Sequence, residues 1–111
     1  QIAGLDRRPT GIVALNDLMA LGLMAGLRDA GLAVPRDASI VGIDGLFLAA
    51  LSNPMLTTVQ LPVRDMARAM VEIAIGPGAG TTAVESERVF TPTLLVERES
   101  VGPPPVAKRK R

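Results

Sequence analysis

Two short apolar runs, separated by a helical pattern, dominate the first half of the chain. Residues 11–15 (GIVAL) are typical of a strand buried on both faces. A helical pattern then runs from residue 17 to residue 30, with Asn16 or Asp17 suited to the N-cap and Gly31 to the left-handed position beyond the helix. Residues 38–43 (ASIVGI) form the second run. A strand, a helix and a strand joined by short turns predict a βαβ unit with parallel strands.

The second half continues the alternation of strands and helices. After an apolar stretch at residues 46–51, a third extended run covers residues 56–61 and an amphipathic helix covers residues 63–75. The glycine-rich residues 76–82 are expected to be flexible, and residues 89–97 are expected to form a last strand with alternating exposure. The pattern therefore predicts an α/β fold built on a parallel βαβ core.

The first predicted helix is more apolar than a single contact face requires. Its large apolar side chains wrap more than half of the helix surface: Leu18, Met19, Leu21, Leu23, Met24 and Leu27. A helix of this kind has to bury two faces, one against the sheet and one against something else. We interpret the second face as a subunit interface.

Composition excludes several classes of function. With 111 residues the chain has room for one small domain at most. It contains no Cys and no His, so disulfide scaffolds, thiolate nucleophiles, His-centred triads and the usual zinc sites are excluded. No general base is available to Ser39 or Ser52, because the chain has no His. We therefore expect no catalytic activity, no metal and no cofactor. No apolar run approaches the ~18 residues of a membrane span.

Charge is distributed unevenly between the body and the C-terminus. The last four residues, Lys108 to Arg111, are all basic, which leaves eight arginines against eleven acidic residues elsewhere, a net charge of about −3. A body of this sign without an aromatic platform is a poor surface for nucleic acid. We expect residues 101–111, which contain three consecutive prolines, to be a disordered basic tail. The absence of an initiator Met suggests that an N-terminal part is missing.

Polar residues follow the first two predicted strands directly. Asn16 and Asp17 come after the first, and Asp44 after the second. The carboxyl ends of parallel strands meet at one edge of the sheet, where ligands of such folds bind. An amide and a carboxylate at that edge suit a neutral polyhydroxyl ligand, with Asp17 capping the helix and Asn16 facing the ligand. A plain helix cap and a plain tight turn at Asp44-Gly45 are the alternatives.

Four blocks of the sequence resemble one protein family in order and spacing. They are residues 9–22 (PTGIVALNDLMALG), 31–44 (GLAVPRDASIVGID), 54–59 (PMLTTV) and 95–100 (LVERES). Each is similar to the C-terminal subdomain of lac-repressor-type (LacI/GalR family) transcriptional regulators. The resemblance covers nearly all of the chain between residues 9 and 100.

The resemblance implies a fold like that of the periplasmic sugar-binding proteins, with two α/β lobes hinged around an effector. Residues 1–100 would supply the C-terminal part of the effector-binding and dimerisation domain, with a hinge crossing at Gln60 and Leu61. The helix at residues 63–75 would then belong to the N-terminal lobe. By the same resemblance, Asn16 and Asp44 bind effector hydroxyls.

The resemblance also places a homodimer interface at the first helix and the segment near Leu51. The residues assigned to it are Leu21, Met24, Ala25 and Leu51. The chain departs from the family pattern at Gly45, where a second acid is common, and at Leu61, where a polar residue is common. Both changes make the expected cleft less polar.

The expected function is therefore effector binding and dimerisation in a cytoplasmic DNA-binding regulator that acts as a repressor, with a sugar or a related small molecule as effector. DNA would be contacted only through an N-terminal domain that this chain does not contain. The alternative is the extracytoplasmic sugar-binding protein of an ABC transporter, which has the same fold. A nucleotide-using enzyme is a weaker alternative, because the glycine-rich residues 76–80 follow a helix and not a strand.

Overall fold

The computed structural model describes residues 4–5, 8–75 and 89–104 of the chain. The chain divides into two compact units. The first contains residues 1–60 and 94–111, and the second contains residues 61–93. The predicted flexible segment, residues 76–82, and most of the predicted tail, residues 105–111, lie outside the described residues.

The first unit is built on a four-stranded sheet in the order β1-β2-β3-β4. The strands are β1 (Gly11–Val13), β2 (Ser39–Asp44), β3 (Thr57–Gln60) and β4 (Leu94–Val96). β1 pairs with β2 and β2 with β3 in parallel, whereas β4 pairs antiparallel with β3. Helix α1 (Asp17–Asp29) connects β1 to β2. The predicted α/β fold with a parallel βαβ core is confirmed.

One face of the sheet is covered by α1. Ala20, Met24 and Leu27 of the helix are buried, as is Ile40 of β2. These side chains recur at the three- and four-residue spacing that brings one helix face against a sheet. Leu56, also buried, extends this core to the start of β3.

The other face of β1 is exposed, which corrects the prediction of a strand buried on both faces. Ile12 packs against the core, but Val13 is 71% exposed and Leu15 is 74% exposed. Successive strand residues point to opposite faces, so Val13 lies on the face that α1 does not cover. Pairing also ends early: Ala14 N–H still donates to the Val41 carbonyl at 2.8 Å, but Asn16 already begins the helix.

Two turns connect these elements. After α1, the Asp37 carboxylate accepts hydrogen bonds from Arg36 at 2.8 Å and from the Ala33 amide at 2.7 Å. The hydrogen bond from Arg36 and, to a smaller extent, that from the Ala33 amide hold the pKa of the partly exposed Asp37 carboxyl below its usual value. After β2, the predicted apolar stretch forms a 3-10 helix, Phe47–Ala50. Ala49 is fully buried in it, whereas Phe47 is 74% exposed.

Residues after β4 connect β2 and β3 at the edge where these strands begin. The buried Ser100 hydroxyl donates to the Ile40 carbonyl at 2.6 Å and accepts from the Thr57 amide at 2.8 Å. Gly102 exchanges hydrogen bonds with the Ser39 hydroxyl, both at 3.1 Å. The predicted tail therefore begins with residues that still contact the sheet.

β4 is shorter than the strand predicted at residues 89–97. Its residues Leu94, Leu95 and Val96 pair with the last three residues of β3. Because β3 ends at Gln60, residues 89–93 have no neighbouring strand to pair with in the described part of the chain. Pairing, and not the apolar pattern, sets the length of this strand.

The described part of the second unit consists mainly of helix α2 (Val63–Ile75), with the bounds that the sequence predicted. Apolar side chains such as Met70 and Ile73 are 63% and 46% exposed. Within the described ranges, no helix has the length and apolar character needed to cross a membrane.

Gly42 generates a prediction about stability. A Cβ atom there would lie 2.2 Å from Asp17 Oδ1 and 3.2 Å from Asp17 Cα, so Gly42→Ala forces buried atoms apart. We expect a loss of about 1–3 kcal/mol in the free energy of unfolding, measured by urea denaturation of the intact protein.

The matched control is Gly26→Ala, because Gly26 lies in α1 with nothing within 4 Å of an added Cβ. This variant should gain roughly 0.5–1 kcal/mol, since alanine has the higher helix propensity. Equal effects of the two substitutions would contradict the close approach of α1 to β2.

Candidate functional site

Polar residues lie at the ends of three parallel strands on the same edge of the sheet. Asn16 follows β1 by three residues, Asp44 is the last residue of β2, and Gln60 is the last residue of β3. Asp44 and Gln60 are direct partners in the register of β2 and β3. Asn16 and Asp44 are partly buried, and Gln60 is exposed. This is the edge at which ligands bind in parallel α/β folds.

Asn16, and not Asp17, caps helix α1. Asn16 has extended backbone angles (φ −151°, ψ 171°), and its Oδ1 accepts a hydrogen bond from the Met19 amide at 2.8 Å. This is the bond from the third helical residue that defines a side-chain cap. The assignment of the cap to Asp17 is therefore wrong. The cap uses only Oδ1 of Asn16, so its Nδ2 group keeps two N–H donors for another partner.

Asp17 lies inside the protein because it is already the first residue of the helix. Its side chain is fully buried. Oδ2 accepts from the Leu46 amide at 2.7 Å and Oδ1 accepts from the Thr58 hydroxyl at 2.5 Å. The absence of a side chain at Gly42 leaves the space that this carboxyl group occupies. Asp17 thus joins α1 to the loop after β2 and to β3, and it is not accessible to a ligand.

The turn that follows β2 has an unusual backbone. Asp44 has φ +122° and Gly45 has φ +77°. A glycine adopts a positive φ at little cost, but a residue with a Cβ does not. Gly45 also approaches β3 closely, since an added Cβ would lie 2.8 Å from the Gln60 Cα. The Asp44 carboxyl group is therefore presented from a strained residue.

These groups can bind a small polar molecule. An Asn16 amide donates, a carboxylate at Asp44 accepts from two hydroxyl groups, and Gln60 does both. Among the residues that the structure describes, no three acidic side chains lie close enough together to hold a metal ion. The edge is suited to hydrogen bonding with an uncharged ligand.

The residues assigned to a dimer interface lie elsewhere on the first unit. A groove of about 610 Å³ runs beside α1 and is lined by Leu21, Met24 and Ala25, together with residues 31–34 and 52–54. Leu51 precedes Ser52, the first residue of the second lining segment, and is 72% exposed, while Met24 is only 7% exposed. Leu21 and Ala25 thus offer more of their surface to a partner than Met24 does.

Gln60 and Leu61, assigned to the hinge, stand at the division of the chain. The first unit includes Gln60 and the second begins with Leu61. A change of unit at this point is compatible with a hinge, and the hinge itself remains a prediction.

Two residues that shape the site were missed by the analysis of the sequence. Thr58 is fully buried and touches both Asp17 and the turn after β2, through the Gly45 amide at 3.3 Å. Gly42 makes room for Asp17. A glycine inside an apolar strand signals a close approach of another chain segment, so Gly42 could have been found from the pattern. Thr58 could not, because its role depends on tertiary contacts.

The chain is similar to known transcriptional regulators in sequence. Residues 1–101 match the family model of the periplasmic binding protein-like domain. Among curated proteins, the HTH-type transcriptional regulator GalS of Salmonella typhimurium is 38% identical over 102 residues, or 92% of this chain and 30% of GalS. MalR of Streptomyces coelicolor is 41% identical over 90% of this chain and 29% of MalR. The chain thus spans about three tenths of the length of these relatives.

Solved structures show the same similarity. A LacI family transcriptional regulator from Arthrobacter sp. FB24, crystallised in complex with lactose, is 40% identical, with a TM-score of 0.69 over 84% of this chain and 35% of that chain. The regulator CCPA from Weissella paramesenteroides, with bound glucose, is 32% identical, with a TM-score of 0.69 over 83% of this chain and 31% of that chain. An uncharacterised protein from Actinobacillus succinogenes has a TM-score of 0.78 at 27% identity, over 91% and 36% of the two chains.

The backbone of Asp44 generates a prediction that needs no ligand. Asp44→Gly removes the Cβ that disfavours a positive φ, whereas Asp44→Ala keeps it. We expect the glycine variant to exceed the alanine variant by about 1 kcal/mol in the free energy of unfolding, measured by urea denaturation. At an ordinary strand position the order is reversed, because glycine loses more conformational entropy. An alanine variant at least as stable as the glycine variant would contradict the strained turn.

Proposed function

The chain belongs to the periplasmic binding protein-like domain family, and we propose that it forms the effector-binding and dimerisation part of a LacI/GalR-type transcriptional regulator. The relatives reported above are transcriptional regulators, which favours this role over the sugar-binding component of a transporter. The same relatives also favour the role of a regulator over that of an enzyme. We also propose a cytoplasmic location, as expected for a transcriptional regulator.

One observation carries the effector site: the parallel pairing of β1 with β2 brings Asn16 and Asp44 to one edge of the sheet. We propose that the Asn16 Nδ2 group donates to the effector and that the Asp44 carboxylate accepts from its hydroxyl groups. The Asn16 cap supports this assignment, because it fixes the side chain and leaves both N–H donors for the ligand.

A carbohydrate is the proposed class of effector. Lactose and glucose occupy the solved structures of two regulators that are 40% and 32% identical to this chain. The hydroxyl groups of a neutral sugar both donate and accept hydrogen bonds. The amide and the carboxylate at this edge offer the matching donors and acceptors. Gly45, in place of a second acid, lowers the number of acceptors and favours a ligand with fewer hydroxyl groups at that end.

We further propose a homodimer formed through α1 and the segment near Leu51. The groove lined by Leu21, Met24 and Ala25, with Arg28 beside them, supports it, as does the 72% exposure of Leu51. DNA would be contacted by residues outside this chain, because its body carries a net charge of about −3. Effector binding would then shift the dimer between conformations of different operator affinity, in the manner of a repressor.

The effector site is tested by Asp44→Ala in the full-length protein that contains this chain. We expect the variant to bind operator DNA with unchanged affinity but to lose its response to the sugar, because the acceptor for the sugar hydroxyls is gone. The measurement is operator binding by fluorescence anisotropy, titrated with lactose, glucose and galactose. Unchanged release of the operator by the sugar that acts on the wild type would reject the assignment.

Asn16→Asp separates the cap from the ligand contact. The aspartate keeps an oxygen for the Met19 amide but has no N–H groups to donate. Stability should stay within about 0.5 kcal/mol of the wild type, while sugar affinity falls about tenfold or more. Sugar affinity unchanged from the wild type would show that Asn16 acts only as a cap.

The interface is tested by Leu21→Glu, which replaces an apolar side chain of the groove with a charged one. Burying it in a dimer costs several kcal/mol, so we expect sedimentation velocity to show a shift toward monomer. The control is Met19→Glu, on the opposite side of the same helix, where the side chain is 56% exposed. A dimer that persists in the Leu21 variant would count against this interface.

A further inference from the structure

The turn at Asp44-Gly45 needs support from its surroundings. Two consecutive residues have positive φ, and the first of them carries a side chain. Such a backbone persists only where neighbouring groups hold it in place. Whatever holds this turn also sets the position of the Asp44 carboxyl group.

The support comes from a buried pair of side chains, Asp17 and Thr58, both with no exposed surface. The Leu46 amide donates to Asp17 Oδ2 at 2.7 Å, and the Gly45 amide donates to the Thr58 hydroxyl at 3.3 Å. The Thr58 hydroxyl in turn donates to Asp17 Oδ1 at 2.5 Å. The successive amides of Gly45 and Leu46 therefore both donate to the connected side chains of Thr58 and Asp17.

The backbone is closely packed around this pair. Gly42 and Gly45 are the points of closest approach: an added Cβ would lie 2.2 Å from Asp17 Oδ1 at Gly42 and 2.6 Å from the Gln60 Cγ at Gly45. The Gly45 and Leu46 amides are partly buried, and each has its acceptor in this pair of side chains. If Thr58 loses its hydroxyl group, the turn that carries Asp44 loses one of the hydrogen bonds that hold it in place.

We infer that Thr58 is a positioning residue for the effector site: its hydroxyl group, shared between Asp17 and the Gly45 amide, fixes the turn that presents the Asp44 carboxylate. Thr58 itself is buried and does not touch the ligand. The inference rests on the proposed function for the role of Asp44, but the hydrogen bonds that hold the turn are independent of any ligand.

The test substitutes Thr58 with valine, which keeps the shape of the side chain and removes the hydroxyl group. In the full-length protein, Thr58→Val should weaken binding of the sugar that acts on the wild type, chosen from lactose, glucose and galactose, by tenfold or more in calorimetry. Hydrogen exchange at the Gly45 amide should accelerate by a similar factor. Thr58→Ser, which restores the hydroxyl, should stay within about threefold of the wild type in both measurements.

The matched control is the neighbouring residue. Thr57 is 2% exposed and lies on the same strand, but it faces the other side of the sheet, where its hydroxyl accepts from the Arg98 amide at 2.8 Å. Thr57→Val should lower the melting temperature as Thr58→Val does, while sugar affinity and exchange at Gly45 stay unchanged. If Thr58→Val proves too unstable, the exchange comparison is made in an Asp44→Gly background, in which the strain is removed.

The outcomes separate the two proposals. If Thr58→Val lowers stability but leaves both sugar affinity and Gly45 exchange unchanged, Thr58 is structural and the inference is overturned. If the wild type responds to none of the three sugars while Thr58→Val still accelerates exchange selectively at Gly45, Thr58 positions the turn as inferred, and the carbohydrate assignment is what fails.

Discussion

The region around the candidate site depends on one buried carboxyl group. Asp17 has no exposed surface, and a carboxyl group in that situation is costly unless donors surround it. Its donors come from the loop after β2 and from β3, so the start of α1, the end of β2 and the middle of β3 have to assemble together. Gly42 makes this possible by leaving the space unoccupied. The accessible edge of the sheet is arranged by a group that no ligand reaches.

Adjacent residues have opposite tasks at this site. Asn16 stays partly exposed and caps the helix, while the side chain of Asp17 is buried. On β3, Thr58 faces α1 and Thr57 faces the residues that follow β4. In each pair a change of one position along the chain reverses the environment of the side chain, because the backbone directs successive side chains differently. The residue types alone do not reveal which member of a pair is buried.

Much of the fold could be predicted from the sequence, and less of the site. The apolar pattern placed α2 at its observed bounds and α1 within one residue, and the succession of strand, helix and strand predicted the parallel pairing of β1 and β2. The cap was assigned to Asp17 because periodicity locates a helix end only to within one or two residues. Val13 and Leu15 were expected to be buried because an apolar run does not show which face of a strand is covered. The role of Thr58 depends on contacts with residues 13 and 41 positions away, which no local pattern contains.

The sheet of the first unit is assembled from two separate stretches of the chain, with the second unit between them. The Ser100 hydroxyl donates a hydrogen bond to the carbonyl of Ile40, 60 positions earlier in the chain, and accepts one from the Thr57 amide. During synthesis β1, α1, β2 and β3 therefore leave the ribosome before the segment that closes this edge. Until that segment is made, the Ile40 carbonyl and the Thr57 amide lack the Ser100 hydroxyl as a partner, so this edge of the sheet can close only late in translation.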